Sequence, residues 1–570
     1  MRVGIKIVNI LIIRGIMSKN MKGIAIFFMT TSTSLAPLSL LAQVPSGLII
    51  NSLPIPKTPN QKSDATEDDV IIGNPTAALK GLAGKMDQVR ISGFLSDIAD
   101  DVDGYNAIKP YLYKQVSGEE WDSISREIFN SYASRGRLIR ADLEIDSDGR
   151  AIVNVSELKL VSINVASPGF KDSEIADVRG KFEKMFKIGE PIDLKRLKSE
   201  LSVVDYRGKA MVTTKFLQIN ADGIELKIRI EPRRLNEINR WGGSVDNYGL
   251  SSFGRARLTA SYSAPLFSTS DNLGVKAIVS RGLQNISGRY DFPIPGRLPI
   301  RSSIWASALK YSADVDAIKQ RGNATLAGVD LNYPYFMWNG SQVMWGVGYE
   351  YKHSRDSVVG IDTTRKSINN FHARATGAGF LGRRLAFDAD LTVGRLGMDG
   401  RRAALQDMYT AKSIGVFQKF TGNLNFVQSI TEKSNLSISV DGQISSGNLD
   451  SLEKMYFGGD SGVRAYNNTI AGDQGLIVRV DYMYDLSRDF NPIRFGVFSD
   501  SAVGQISHSP WEGEFSSGQS NVFHLSDVGF QIDTTFKNVS LSANLSHPIG
   551  RSNVDRDQGW RVWMGLRTSF

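Results

Sequence analysis

The 570-residue chain has no cysteine. That excludes disulfide scaffolds, thiolate metal sites and cysteine nucleophiles. Past the N-terminus it has no apolar run of the roughly 18 residues that a membrane-spanning helix requires. Histidine is scarce: His353, His372, His508, His524 and His547 are scattered, and no HExxH, Walker A or EF-hand pattern accompanies them. No metal or cofactor is therefore expected. The charge excess is mild, with 67 basic against 59 acidic residues, and no basic block suggests nucleic acid. Mean hydropathy is −0.18, which leaves a soluble protein or a barrel whose alternating strands escape a hydropathy average.

The N-terminus reads as an export signal. Lys19 and Lys22 precede the apolar stretch 24–29, and small residues lead to Leu40-Leu41-Ala42-Gln43. Cleavage is expected after Ala42, although Leu40 stands where a small residue is preferred. Translation from Met17 or Met21 would produce the same signal. Residues 1–42 are assigned to this region. Residues 43–87 follow as a plug helix near Pro45–Leu53 and a linker. Pro54, Pro56, Pro59 and the charged stretch after them cannot bury a core.

Residues 88–157 change character. A strand from Val89 precedes two helical patterns, the better one placing Trp121, Ile124, Ile128 and Tyr132 on one face. Strands Leu138–Ile145 and Ala151–Val155 follow. Residues 158–236 repeat the order: a strand over Leu158–Val165, helices around Glu174–Phe186 and Leu194–Val204, and strands Met211–Ile219 and Ile224–Ile230. Two β-α-α-β-β units of roughly 75 residues make an internal repeat.

From residue 237 to 570, period-2 alternation replaces helical periodicity. In Leu385–Val393 the odd positions are apolar and the even ones mostly polar, and Leu436–Ile444 and Val539–Ser546 behave alike. A soluble sandwich would alternate too. Three features favour a transmembrane barrel instead. Roughly 330 residues at about 20 per strand and turn give about 16 strands, too many for one sandwich. The polar face carries many charges, as a wet lumen would. Aromatics such as Trp345, Tyr349, Tyr482 and Trp560 fall near strand ends, as membrane girdles do. On the last strand Trp560, Val562, Met564, Leu566 and Phe570 share one face, and Trp563 is the exception on the polar one. An alternating strand ending in an aromatic resembles the signal that barrels present to their assembly machinery. Trp560, Leu566 and Phe570 are its expected carriers, with that machinery and outer-membrane lipid as partners.

Two motifs point to function. The segment Leu452-Glu453-Lys454-Met455-Tyr456-Phe457-Gly458-Gly459-Asp460-Ser461-Gly462-Val463-Arg464-Ala465-Tyr466 resembles the "EKF-x-GG-xx-VRGY" stretch of two-partner-secretion transporters, the TpsB type that includes FhaC, ShlB and HecB. Ala465 stands where glycine is usual. Phe498-Ser499-Asp500 resembles the family's "F-x-D" on a later strand, and parity puts Phe498 and Asp500 on the lumen face. Arg240–Gly249, with Phe253-Gly254-Arg255, resembles the first hairpin, where Asn247 and Gly249 suit a tight turn. Tyr290–Ile294 resembles "Y-x-x-P-I". The two N-terminal units resemble POTRA domains, of which this family has two.

The resemblance implies a signal peptide, two periplasmic POTRA domains and an outer-membrane barrel with a loop near 452–475 folded into its lumen. It implies a transporter that binds an unfolded exported partner of the adhesin or haemolysin class, bearing an N-terminal secretion domain, and passes it to the cell surface. Arg464 is expected to pair with Asp500, with Val463, Tyr466, Phe498, Gly458 and Gly459 completing the lock and gate. The alternatives are a BamA- or TamA-like insertase, which three or more POTRA units would favour, and a plain porin, which needs neither motif. Gly459-Asp460-Ser461-Gly462 copies the surroundings of a protease serine, but no partner histidine motif accompanies it, and no enzyme is expected.

Overall fold

The computed structural model describes residues 89–90, most of 105–232 and most of 240–569. The expected signal and plug segment, 1–87, and Phe570 lie outside the described residues.

In the first unit Val89–Arg90 pairs with Gln115–Val116, and Ile139–Ile145 forms a hairpin with Ala151–Glu157. Helix Gly118–Ser134 buries Ile124, Ile128 and Tyr132 against Ile108, Val116, Ile139 and Val155. Their four-residue spacing puts the helix residues on one stripe. The strand Gln115–Val116 is unpredicted, because two residues carry no periodicity. In the second unit, Lys159–Ala166 runs parallel to Gly223–Pro232, which pairs antiparallel with Ala210–Gln218. Ile224, Leu226, Ile228 and Ile230 alternate into a core with Phe182, Leu197 and Phe216. Described helical residues fall at 182–185 and 196–197, within the two predicted helices; much of both helices lies outside the described residues. The units abut: Leu158 N donates to Leu138 O (2.9 Å), Leu194 N donates to Gly136 O (2.9 Å), and Leu138 sits in the second core.

Sixteen antiparallel strands, from Arg240–Asp246 to Arg561–Ser569, close a barrel in chain order. The longest, Ile318–Phe336 and Ile361–Gly379, have 19 residues, more than the roughly 9–11 a bilayer crossing needs. The seam between last and first strands runs only from Gly565↔Asp246 to Ser569↔Gly242. Asn247 extends it. Its N–H donates to Met564 O (3.1 Å), its Nδ2 donates to Val562 O (3.0 Å), and its Oδ1 accepts from Met564 N (2.8 Å). Asn247 therefore does not serve a two-residue turn. The connection is longer and carries a 3-10 turn at Ser251–Phe253.

Strand parity sorts the wall. Phe495 and Val497 face outward, while Phe498 and Asp500 are buried inward. Leu391 and Val393 are exposed, whereas Asp390 and Thr392 are buried. Trp560, Val562, Met564 and Leu566 are exposed on the last strand, and Arg561 and Trp563 are buried. Ion pairs line the interior, among them Arg289–Asp291 (2.9 Å), Arg289–Asp330 (3.4 Å) and Arg479–Asp441 (3.1 Å). A closed sheet leaves no free edge, so every strand is paired on both sides.

Candidate functional site

The connection between strands Ser434–Ser445 and Gln474–Asp485 folds back into the barrel. Its short hairpin pairs Met455–Tyr456 with Ala471–Gly472. Phe457 is fully buried, edge-on to Phe523 with ring centroids 4.9 Å apart. Small wall residues make room for it: a Cβ on Gly475 would lie 2.5 Å from the Phe457 ring, and one on Gly504 2.8 Å.

Beyond Phe457 the chain turns sharply. Gly459 has φ +98°, a conformation that disfavours any residue with a Cβ. Gly458 bridges to Val463, Val463 N donates to Phe457 O (2.7 Å), and Gly459 N donates to Tyr466 O (3.0 Å). At Gly462 a Cβ would meet Phe457 O at 2.3 Å. Val463 and Tyr466 are buried in the cluster around Phe457 and Phe523. This turn aims Arg464 at the wall. Asp460 and Ser461 are part of it, which accounts for the protease-like tetrapeptide without a catalytic group.

The structure brings Arg464 and Asp500 together as a fork. Arg464 Nε donates to Asp500 Oδ2 (2.8 Å) and Nη2 to Asp500 Oδ1 (2.7 Å), while the Arg464 backbone N–H donates to Oδ2 (3.2 Å). Two parallel charge-assisted bonds fix orientation as well as energy. Phe498 lies beneath, with the guanidinium carbon 3.4 Å from its ring centroid, a cation–π contact. The ring is seated against Gly529, where a Cβ would lie 2.2 Å from it. Burial works against the Arg464 charge, but Asp500 and Asp481 outweigh it and raise the guanidinium pKa further. The group stays cationic.

Several partners are absent from the sequence motifs. Arg464 Nη2 donates to Asp481 (2.8 Å) and Nη1 to Gln531 (3.0 Å). Trp563 Nε1 donates to Arg464 O (2.7 Å). Ala465 N donates to Asp527 Oδ2 (2.6 Å), and Arg561 Nε donates to Ala465 O (3.1 Å). Trp563 left a trace in the sequence as the aromatic on the wrong face of its strand. Asp481, Asp527 and Gln531 look like any lumen-facing polar residue. Ala465 is itself fully buried, and its backbone lies outside the left-handed region, so a residue with a Cβ fits where glycine is usual. Of the other expected residues, Trp560 and Leu566 stand exposed on the outer wall, away from this site.

A family model, "Haemolysin secretion/activation protein ShlB/FhaC/HecB", matches residues 225–510, half of the chain and all of the anchored loop. The chain belongs to this family. It is a two-partner-secretion transporter of the Gram-negative outer membrane, with a secreted protein as its client. No curated protein sequence matches it. Among solved structures, CdiB from Escherichia coli is similar at 16% identity and a TM-score of 0.57, covering 92% of this chain and 95% of that one. CdiB from Acinetobacter baumannii gives 14% identity and a TM-score of 0.52 over 85% and 91% of the two chains. At these identities the likeness is one of fold.

Proposed function

We propose that the two N-terminal units, 88–157 and 158–236, capture an unfolded exported client of the adhesin or haemolysin class through its N-terminal secretion domain. The barrel, 237–570, then passes that client outward once the loop near 452–475 yields. Arg464 and Asp500 act as the loop lock. Val463, Tyr466, Phe498, Gly458 and Gly459 shape the tip that presents the arginine. The observation that carries this reading is the bidentate Arg464–Asp500 fork, which ties the loop tip to the lumen wall.

Among the described residues, strand Ala210–Gln218 pairs with Gly223–Pro232 alone. Its other edge suits an extended client that joins by strand addition, which needs backbone more than side-chain specificity. The chain carries no nucleotide-binding motif, and client folding outside supplies the drive. Trp560, Leu566 and Phe570 serve in recognition by the barrel assembly machinery, and the outer wall meets outer-membrane lipid. Arg464→Ala is expected to leave the loop tip unseated, so that it opens without client and no longer couples client arrival to passage, and thereby to block client secretion while the barrel still inserts and remains heat-modifiable. Normal secretion by that variant would defeat the role assigned to the lock.

A further inference from the structure

Arg464 is not the loop's sole charged attachment. Eleven residues earlier Glu453 is also buried, with no exposed side-chain surface. Its Oε1 meets Lys352 Nζ (3.0 Å) and accepts from Asn370 Nδ2 (2.9 Å); its Oε2 meets Lys419 Nζ (2.6 Å). Its backbone carbonyl accepts from Gln443 Nε2 (3.1 Å). Burial alone would raise the Glu453 carboxyl, but Lys352 and Lys419 outweigh it and hold it well below the usual carboxylate range. Beside it Asp450 pairs with Lys366 at 2.5 Å.

The positions of these partners decide what the contact does. Asn370 belongs to strand Ile361–Gly379, and Trp563 and Arg561, which grip residues 464 and 465, belong to Arg561–Ser569. In the closed sheet of sixteen, those two strands are eight apart; the ionic partners lie nearer, with Lys352 on Gln342–Val358 six strands and Lys419 on Gly415–Thr431 three strands from Asp500 on Ile493–Gln505. The loop is thus fastened to two separate stretches of the wall, Glu453 to strands that precede it in the chain and Arg464 to strands that follow it. A loop fastened at both stretches obstructs the channel until both let go, so removing one attachment lowers the cost of opening and removing both lowers it further.

We propose that Glu453 is a second anchor of the loop, and that opening the lumen requires release from Lys352 and Lys419 as well as from Asp500. Glu453 is a positioning residue. This rests on the reading that the loop closes the lumen, and the test separates the two. The full chain is reconstituted in planar bilayers without client, and the fraction of time in the large-conductance state is recorded. Glu453→Gln is expected to raise that fraction at least about tenfold, because a buried ion left without its partner is strongly disfavoured. Arg464→Ala should do likewise, the double variant should exceed either single one, and Glu453→Asp should fall between Glu453→Gln and the native chain.

A folded, heat-modifiable Glu453→Gln channel that gates like the native one overturns the second anchor. So does a variant that only lowers the yield of inserted protein and leaves the gating of inserted molecules unchanged. If Glu453→Gln does not insert at all, Lys419→Met removes a partner cation instead, and native gating there overturns the proposal equally. Native gating in Arg464→Ala defeats the loop-gate reading itself, whereas altered gating there with native gating in Glu453→Gln defeats the second anchor alone.

Discussion

The N-terminal units and the barrel use the same period-2 alternation to opposite ends. In strand Gly223–Pro232 the alternate residues Ile224, Leu226, Ile228 and Ile230 are buried, and the polar face looks outward. In strand Ile493–Gln505 the apolar residues Phe495 and Val497 are 43% and 44% exposed, while Asp500 is fully buried. The local rule is identical and the surrounding solvent differs. A sheet in water turns its apolar face inward; a sheet in lipid turns it outward and must satisfy its charges within. Buried charge is therefore an error in one region and the working material of the other.

Substitutions can break this contrast. The largest effect is expected at the lock. Asp500→Ala leaves a buried guanidinium without its fork and should cost about 3–5 kcal/mol of loop attachment. The barrel should stay heat-modifiable while residues 452–475 become open to protease; a loop that stays protected would show that the fork contributes little. Next comes the soluble core. Leu226→Ala should destabilise the second N-terminal unit by about 2–5 kcal/mol, seen as earlier urea unfolding of that unit with the barrel transition unmoved. On the outer wall, Val497→Lys places a charge in lipid near mid-strand and should cost about 2–4 kcal/mol of barrel stability. Equilibrium unfolding in lipid vesicles measures it, and no loss there would contradict an outward-facing Val497. The smallest effect is at the rim, where Arg355 and Arg365 share Asp362 and are about half exposed. Arg365→Ala should change stability by less than about 1 kcal/mol, and a larger shift would mean that the rim pair is not an ordinary surface bridge.

Much of the fold is legible in sequence because it is local. Helix Gly118–Ser134 declares itself through Ile124, Ile128 and Tyr132, and the strand pattern through residues such as Leu391 and Val393. The Arg464–Asp500 fork is half legible. Arg464 and Asp500 sit in motifs, and parity puts Asp500 on the lumen face. Asn247 is misread as a turn residue because its partners, Val562 and Met564, lie more than 300 positions away. The short strand Gln115–Val116 is invisible because its only signal is its partner Val89–Arg90.

Taken alone, the sequence determined the alternating barrel and the family to which the chain belongs. Periodicity and short motifs live within a few residues, where chain stereochemistry acts. The tertiary structure alone decided which wall residues hold the loop. Glu453 gains Lys352, Asn370 and Lys419, and Arg464 gains Asp481, Gln531 and Trp563, only once the sheet closes. Closure sets which strands the loop meets, and no local pattern along the chain encodes those contacts.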